Sequence, residues 1–267
     1  LCQQKTMLTL LNVTKMHLGC LVSITLVCGI KMANIALITG RGGSSFKDKN
    51  IREVCGIPAV KYPGIAAISS GIFDQKFCSS DSDNILNTCR ELDYQPIKRP
   101  DNISTATSLH IEAIDHAIKE ITLRGIDIDF LYVFLANNVC TTPDMIKQSW
   151  NILQSDNTIT SVVPAYREYN HHPLRAMKLN ESQDLESFVQ DIDQKTSSNR
   201  QDLKPSYFLC HNFWAIAVKR QKDGWTGTAP WSFLGNKVKL LEVEQLTDIH
   251  DEEDIKKSEE WVRRNDE

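Results

Sequence analysis

The chain lacks the patterns that mark the commonest small functional sites. Its eight cysteines, at positions 2, 20, 28, 55, 78, 89, 140 and 210, form no C-x-x-C pair, which excludes a zinc ribbon and a thioredoxin-type centre. Scattered thiols of this kind fit a reducing compartment, so a cytoplasmic protein is expected. There is no excess of positive charge either. With 30 Lys+Arg against 34 Asp+Glu the net charge is -4, which argues against nucleic acid as a partner. A polyanionic ligand must then be met by a local basic cluster. Only 12 Gly and 9 Pro occur, with no internal repeat and no low-complexity tract, so collagenous, repetitive and disordered classes are excluded. What remains is a globular chain, 41% hydrophobic and 24% charged. Its 267 residues allow one large domain or two small ones. A chain of this size buries about three quarters of its unfolded surface.

No apolar run is long enough to span a bilayer, so no membrane is expected as a partner. The longest, Leu18 to Ile30, follows Lys5 and Lys15 in the manner of a signal peptide, but no A-x-A cleavage pattern follows it. Because a buried-strand pattern begins at Asn34, Met32 is read as the start. Residues 1–31 are then an N-terminal extension outside the fold, and 32–267 the domain.

From Asn34 the apolar pattern alternates between strand and helix periods. Asn34 to Thr39 reads as a buried parallel strand running into the glycine-rich GRGGSS. Helical spacing follows at Pro58 to Ser70, at Ser82 to Leu92 with Ser82 as its cap, at Thr107 to Arg124 and at Pro143 to Leu153. Strands are expected at Lys76 to Ser80, Gln95 to Lys98, Asp129 to Ala136 and Ile159 to Ala165. Such alternation predicts an α/β fold of three layers, a mostly parallel sheet with helices on both faces. Tyr166 to Lys204 breaks the pattern with polar, charged sequence, and a stretch this long is rarely idle. Regular structure resumes at Tyr207 to Val218, with a strand at Lys237 to Glu244, and a last helix runs from Asp251 to about Arg263.

The loop after the first strand, Gly40 to Asn50, lies where open α/β sheets bind ligands. It has neither G-x-x-x-x-G-K-[ST] nor G-x-G-x-x-G, since Ser45 takes the third glycine place. Its glycines let backbone N–H groups approach an anion, and Arg41, Lys47, Lys49 and Arg52 supply positive charge, so it reads as a phosphate cradle. A solvated turn has the same composition. Thr247 to Asp254 is the second feature. Asp251 to Asp254 are explained by the start of the last helix, whereas Asp248 precedes the cap and offers a hard oxygen ligand suited to Mg²⁺. His250 is either a further ligand or a hydrogen-bond partner. His171, His172, Arg175, Arg200 and Gln201 place further cations and polar groups in the irregular segment, where a substrate carboxylate or plain solvent would suit them.

Taken together, these residues resemble the acylneuraminate cytidylyltransferase family, enzymes that activate nonulosonic acids as CMP-sugars. The likeness runs through 34–262. ITGRGGSSFKDKNI and GIPAVKYPGIAAISS resemble the family's A-R-G-G-S-K-G-I-P-x-K-N-I opening and the helix after it. Ser79-Ser80-Asp81 resembles its S-T-D, Lys98-Arg99-Pro100 its R-P, Glu168 to Arg175 its H-H-P-L-K, Asn199-Arg200-Gln201 its R-Q, and Thr247 to Asp254 its D-x-D-x-x-x-D ending.

The resemblance implies a Rossmann-like nucleotidyltransferase fold and transfer of CMP from CTP to a nonulosonic acid, with Mg²⁺. Arg41 and Lys49 would polarise the triphosphate. Gly42, Gly43, Ser44, Lys47 and Asn50 would hold the nucleotide, Arg99 its cytidine side, and His110 stands where a nucleotide-contacting serine is usual. Asp248 would hold Mg²⁺, with His250 in the place of the family's second metal-site aspartate. A homodimer is implied, in which 166–206 reaches the partner's site so that Arg175 and Arg200 meet the partner's sugar carboxylate. Asn212 and Trp231 or Phe233 would form the sugar wall.

The glycine-rich loop is one residue shorter than the family's. Ser45 therefore stands opposite its first lysine, and whether Lys47 substitutes is left open. The family's L-Q-P-T-S-P appears as Leu135 to Cys140, with Asn137 and Asn138 in the sugar-contacting places. The alternatives are activation of 3-deoxy-manno-octulosonate, another sugar nucleotidyl transfer, or a non-catalytic nucleotide-sugar binding module.

Overall fold

The computed structural model describes residues 31–43, 46–189, 197–221 and 224–265. The expected extension therefore lies outside the described residues apart from Lys31, as do Ser44 and Ser45 of the loop. The elements in chain order are β1 (Lys31–Thr39), β2 (Glu53–Val54), β3 (Ile57–Pro58), α1 (Lys61–Ser70), β4 (Gln75–Ser80), α2 (Asp83–Arg90), β5 (Gln95–Lys98) and α3 (His110–Leu123). They continue with β6 (Ile126–Leu135), α4 (Pro143–Ser155), β7 (Ser161–Glu168), β8 (Met177–Leu179), β9 (Leu185–Ser187), β10 (Ser206–Leu209), β11 (Phe213–Ala217), β12 (Val238–Glu242) and α5 (Glu252–Asn265). No described helix is long and apolar enough to cross a membrane.

Eight strands form one sheet in the order β10-β7-β11-β6-β1-β4-β5, with β12 also paired to β7. The pairs β1–β4, β1–β6, β4–β5 and β7–β12 are parallel, and β10 and β11 run antiparallel to their neighbours. The apolar run of β1 is central because it is covered on both faces. Ala36 and Ile38 join Ile85, Leu86, Ile146 and Leu153 of α2 and α4 in one core layer. Ile35 and Leu37 join Ile114, Ala117 and Ile121 of α3 in the other. The alternation of β1 side chains thus builds the expected three layers. A third cluster, from Val54 through Ile249 to Val262, seats α5 against the segment after β1.

Several boundaries differ from the sequence expectation for physical reasons. α1 starts at Lys61 because Ile57–Pro58 pairs back on Glu53–Val54 as a short hairpin. α3 starts at His110, with the Glu112 carboxylate accepting from the Leu109 N–H at 2.6 Å. Ser82 occupies the position before α2 but its hydroxyl does not cap the helix. Asp251 does cap α5, accepting from the Glu253 and Asp254 N–H groups at 2.9 and 3.0 Å. The regular structure expected at Tyr207 to Val218 is two strands, β10 and β11. The pairing with β7 ends at Leu209 and resumes at Ala215, while β6 is joined from Phe213, so His211 and Asn212 fall in the turn that interrupts the ladder. The irregular segment carries a small β8–β9 hairpin and two short 3₁₀ turns.

Candidate active site

A cleft of about 420 Å³ opens over the carboxyl ends of β1, β5 and β6, where the parallel strands hand the chain to their loops. Gly40 begins the first of these loops, and a Cβ there would sit 2.8 Å from the Ala136 Cβ, so the loops after β1 and β6 meet without room for a side chain. Asn50 ends it. The Asn50 amide is buried and donates to the Arg41 carbonyl at 2.8 Å, while its own carbonyl accepts from the Val60 N–H at 2.9 Å. This pins both ends of the glycine-rich turn and leaves Arg41 and Lys49 on the cleft wall.

Arg41 donates to the Thr105 carbonyl, tying the loop to the segment before α3. Arg99, after β5, is buried and held by Ser79, with Nη2 donating to its carbonyl at 2.8 Å and Nε to its hydroxyl at 3.3 Å. Burial lowers its pKa, with the Asp81 carboxylate opposing. Burial also lowers the pKa of Lys49. Asp248 and Asp254 pull it back up, and Arg41 pushes in the same direction as burial. Three cations therefore share one concavity, an arrangement suited to a polyphosphate.

Asp248 faces them. Its Oδ2 is 2.8 Å from His250 Nε2 and accepts from Asn137 Nδ2 at 3.4 Å. The His250 N–H donates to Asp254 Oδ2 at 2.9 Å. Asn137 further grips this segment through backbone and side chain alike, with its Nδ2 donating to the Ile249 carbonyl and its carbonyl accepting from the Ile249 N–H. Among the described residues no three His, Cys, Asp or Glu side chains gather into a metal cage. A single carboxylate beside a wall of cations is a donor set that Mg²⁺ would fit, since Mg²⁺ takes one or two carboxylates and keeps waters.

His110 opens α3 on the cleft wall, edge-on to Trp214 with centroids 5.1 Å apart. The crowding walls and then Arg99 lower its pKa to about 4, which leaves it neutral at pH 7. His211 and Trp231 complete the far wall, with ring centroids 5.4 Å apart.

The structure thus brings together Arg41, Lys49, Asn50, Arg99, His110, Asn137, Trp231, Asp248 and His250. Gly42 lies beside the cleft, and its N–H donates to Asp81 Oδ1 at 2.9 Å. Gly43 and Lys47 are exposed and do not line it, and Ser44 lies outside the described residues. Arg52, expected among the cradle's cations, instead pairs with Glu252 and lies over the Phe46 ring. Asn138 and Asn212 sit behind the wall as a buried pair. Asn212 Nδ2 donates to Asn138 Oδ1 at 3.1 Å and to the Cys140 carbonyl at 2.5 Å. Arg175 and Arg200 stand on exposed 3₁₀ turns away from the cleft, and Arg200 donates to Asn170 Oδ1 at 2.9 Å. Thr105, Ser108 and His211 line the cleft without having been singled out in the sequence. Ser108 lies in a loop read as the start of a helix, Thr105 just ahead of it, and His211 was hidden inside a stretch read only as regular structure.

A family model described as Cytidylyltransferase matches residues 35–212. The pseudaminic acid cytidylyltransferase of Campylobacter jejuni is 28% identical over 180 residues, 66% of this chain and 75% of that protein. The N-acylneuraminate cytidylyltransferase of Oncorhynchus mykiss is 25% identical over 185 residues, 69% of this chain and 40% of that protein. Among solved structures, CMP:2-keto-3-deoxy-manno-octonic acid synthetase complexed with CTP has a TM-score of 0.60 at 10% identity, covering 87% of this chain and 99% of that one. The 4-diphosphocytidyl-2C-methyl-D-erythritol synthase of Anaerococcus prevotii has a TM-score of 0.58 at 13% identity, covering 86% and 99%. At these identities the two structures speak for the fold alone.

Proposed function

Because the chain belongs to the cytidylyltransferase family, we propose that it transfers CMP from CTP to the anomeric hydroxyl of a nonulosonic acid of the sialic, legionaminic or pseudaminic type. The observation that carries this reading is the convergence of Arg41, Lys49 and Arg99 opposite Asp248 in one cleft at the carboxyl edge of the sheet. The acceptor hydroxyl oxygen forms a bond to the α-phosphorus and gives its proton to water, while the bond from the α-phosphorus to the bridging oxygen of the β-phosphate breaks, its electron pair leaving with pyrophosphate. Charge grows on the departing phosphates, so fixed cations and backbone N–H groups supply most of the acceleration.

In this scheme Arg41 and Lys49 bear on the triphosphate, with Gly42, Gly43, Ser44, Lys47 and Asn50 shaping the loop around it. Arg99 and His110 flank the cytidine, and Trp231 walls the sugar. Asp248 would hold an Mg²⁺ ion, which when bound would neutralise charge on the phosphates. His250, hydrogen-bonded to Asp248, orients that carboxylate. Asn137 fixes the Asp248 segment, and Asn138 and Asn212 brace the wall behind it.

A homodimer is part of the reading. The arm of 166–206 exposes Met177, Leu179, Leu185 and Phe188, an apolar set that a second copy would cover, and it carries Arg175 and Arg200 on its surface. Placing these arginines at the partner's sugar carboxylate gives the acid group the cations that this chain's own sugar wall lacks. The reaction belongs in the cytoplasm, where CTP is available.

The test is an assay of pyrophosphate release with CTP, ATP, GTP and UTP against a panel of nonulosonic acids and 3-deoxy-manno-octulosonate. CTP with a nine-carbon acid is the expected pair. Turnover confined to the eight-carbon acid, or to another nucleotide, would contradict the assignment.

A further inference from the structure

The far wall of the cleft holds a polar atom that the fold does not satisfy. His211 lies in the turn between β10 and β11, lines the cleft, and packs its ring 5.4 Å from Trp231 and 6.1 Å from Trp214. Its Nδ1 is buried and meets no hydrogen-bond partner among the described residues. Burial lowers the pKa of this ring, the pull of Asp248 opposing it, so the ring is neutral at neutral pH. A neutral imidazole carries its proton on one nitrogen only. An orphaned buried donor is rarer than an under-used acceptor, so the proton belongs on Nε2. The buried nitrogen is then a bare lone pair, and the ring's one N–H is on the other side.

A donor beside an aromatic face is an arrangement that holds a sugar, with a C–H face against the ring and a hydroxyl on the donor. The cleft's cations suit the triphosphate instead. The carboxylate of Asp248, whose field reaches His211, disfavours a second carboxylate there and leaves a hydroxyl oxygen as the acceptor. We propose that His211, as its Nε2–H tautomer, donates a hydrogen bond to a hydroxyl oxygen of the acceptor sugar beside Trp231, and so helps to select that sugar. This rests on the sugar-nucleotidyl reading given above.

The experiment compares wild type with His211→Phe, which keeps a ring against Trp231 and Trp214, and His211→Gln, whose amide N–H reaches the place of Nε2. The KM values for sugar and for CTP are measured separately. His211→Phe should raise the sugar KM about tenfold or more while the CTP KM stays within about twofold, because the lost contact leaves a sugar hydroxyl unpaired. His211→Gln should restore most of the loss. Nitrogen-15 spectra of histidine-labelled wild type should show His211 protonated on Nε2. An unchanged sugar KM in the Phe variant, an equal rise in both KM values, or a proton on Nδ1 would overturn the proposal. A wild type that binds CTP and turns over no sugar overturns the reading beneath it. A wild type that turns over alongside an unaffected Phe variant overturns His211 alone.

Discussion

Asn137 holds the chain at Ile249 from two directions, its side-chain amide donating to the Ile249 carbonyl at 3.2 Å and its carbonyl accepting from the Ile249 N–H at 2.8 Å. Ile249 is fully buried between Asp248 and His250, so this clasp fixes where both side chains enter the cleft. The loop after β6 thereby sets the geometry of a carboxylate 111 residues away.

Loss of that carboxylate should appear in the metal dependence. Asp248→Asn should raise the Mg²⁺ concentration needed for half-maximal turnover or abolish turnover, and Asn137→Ala should move the same titration in the same direction by less. Mg²⁺ titrations of steady-state rate read both. Curves that overlay wild type would remove Asp248 from the metal's surroundings.

In the proposed reaction the Arg41 side chain acts through charge rather than through folding, because among the described residues its hydrogen bond is to the exposed backbone at Thr105. Arg41→Ala should keep the thermal midpoint and lower kcat by about 10²- to 10³-fold, the usual cost of removing one fixed donor from a developing oxyanion. Near-normal turnover in the folded variant would argue against the cradle.

The Asn138–Asn212 pair predicts a different signature. Both side chains are buried, and Asn212 ties Asn138 to the Cys140 carbonyl behind the cleft wall. Asn212→Ala removes the donor to the Cys140 carbonyl and leaves Asn138 Oδ1 with the Cys140 N–H alone, and it should cost about 1–3 kcal/mol of stability. Denaturant unfolding measures it. A variant as stable as wild type that loses only sugar affinity would place Asn212 in contact with substrate.

His110 makes a prediction about pH. Its pKa in the fold, lowered to about 4, lies below the ordinary value of 6.5, so the unfolded chain binds more protons between the two. Stability therefore rises with pH across that window and is lost as pH falls toward 4. The ring is open to the cleft, so this contribution is modest. Proton NMR of the ring should give a midpoint near 4, and one near 6.5 would contradict the crowding of this wall.

The central fold was legible because its signal is local. The apolar run of β1 and the period of α2 and α4 report burial directly, and the Gly40 loop marks the carboxyl edge by itself. Lys49 and Asp248 were legible as a basic loop and a carboxylate unexplained by the helix cap. The turn at His211 was not, because it interrupts a ladder on β7 that resumes at Ala215 as the chain takes up β6, and only the pairing of the sheet reveals it. Nor could sequence show that Arg52 would turn to Glu252 while Lys49 entered the cleft. Both are loop cations three residues apart, and tertiary contacts decide between them.

Phosphorus-31 NMR of the protein with CTP, Mg²⁺ and each nonulosonic acid tests the proposed CMP transfer most directly. One acid should convert the α-phosphate signal to the phosphodiester of a CMP-sugar while the β and γ signals become pyrophosphate in equal amount. CTP left intact beside every acid, or cleaved to CDP and phosphate, would contradict it.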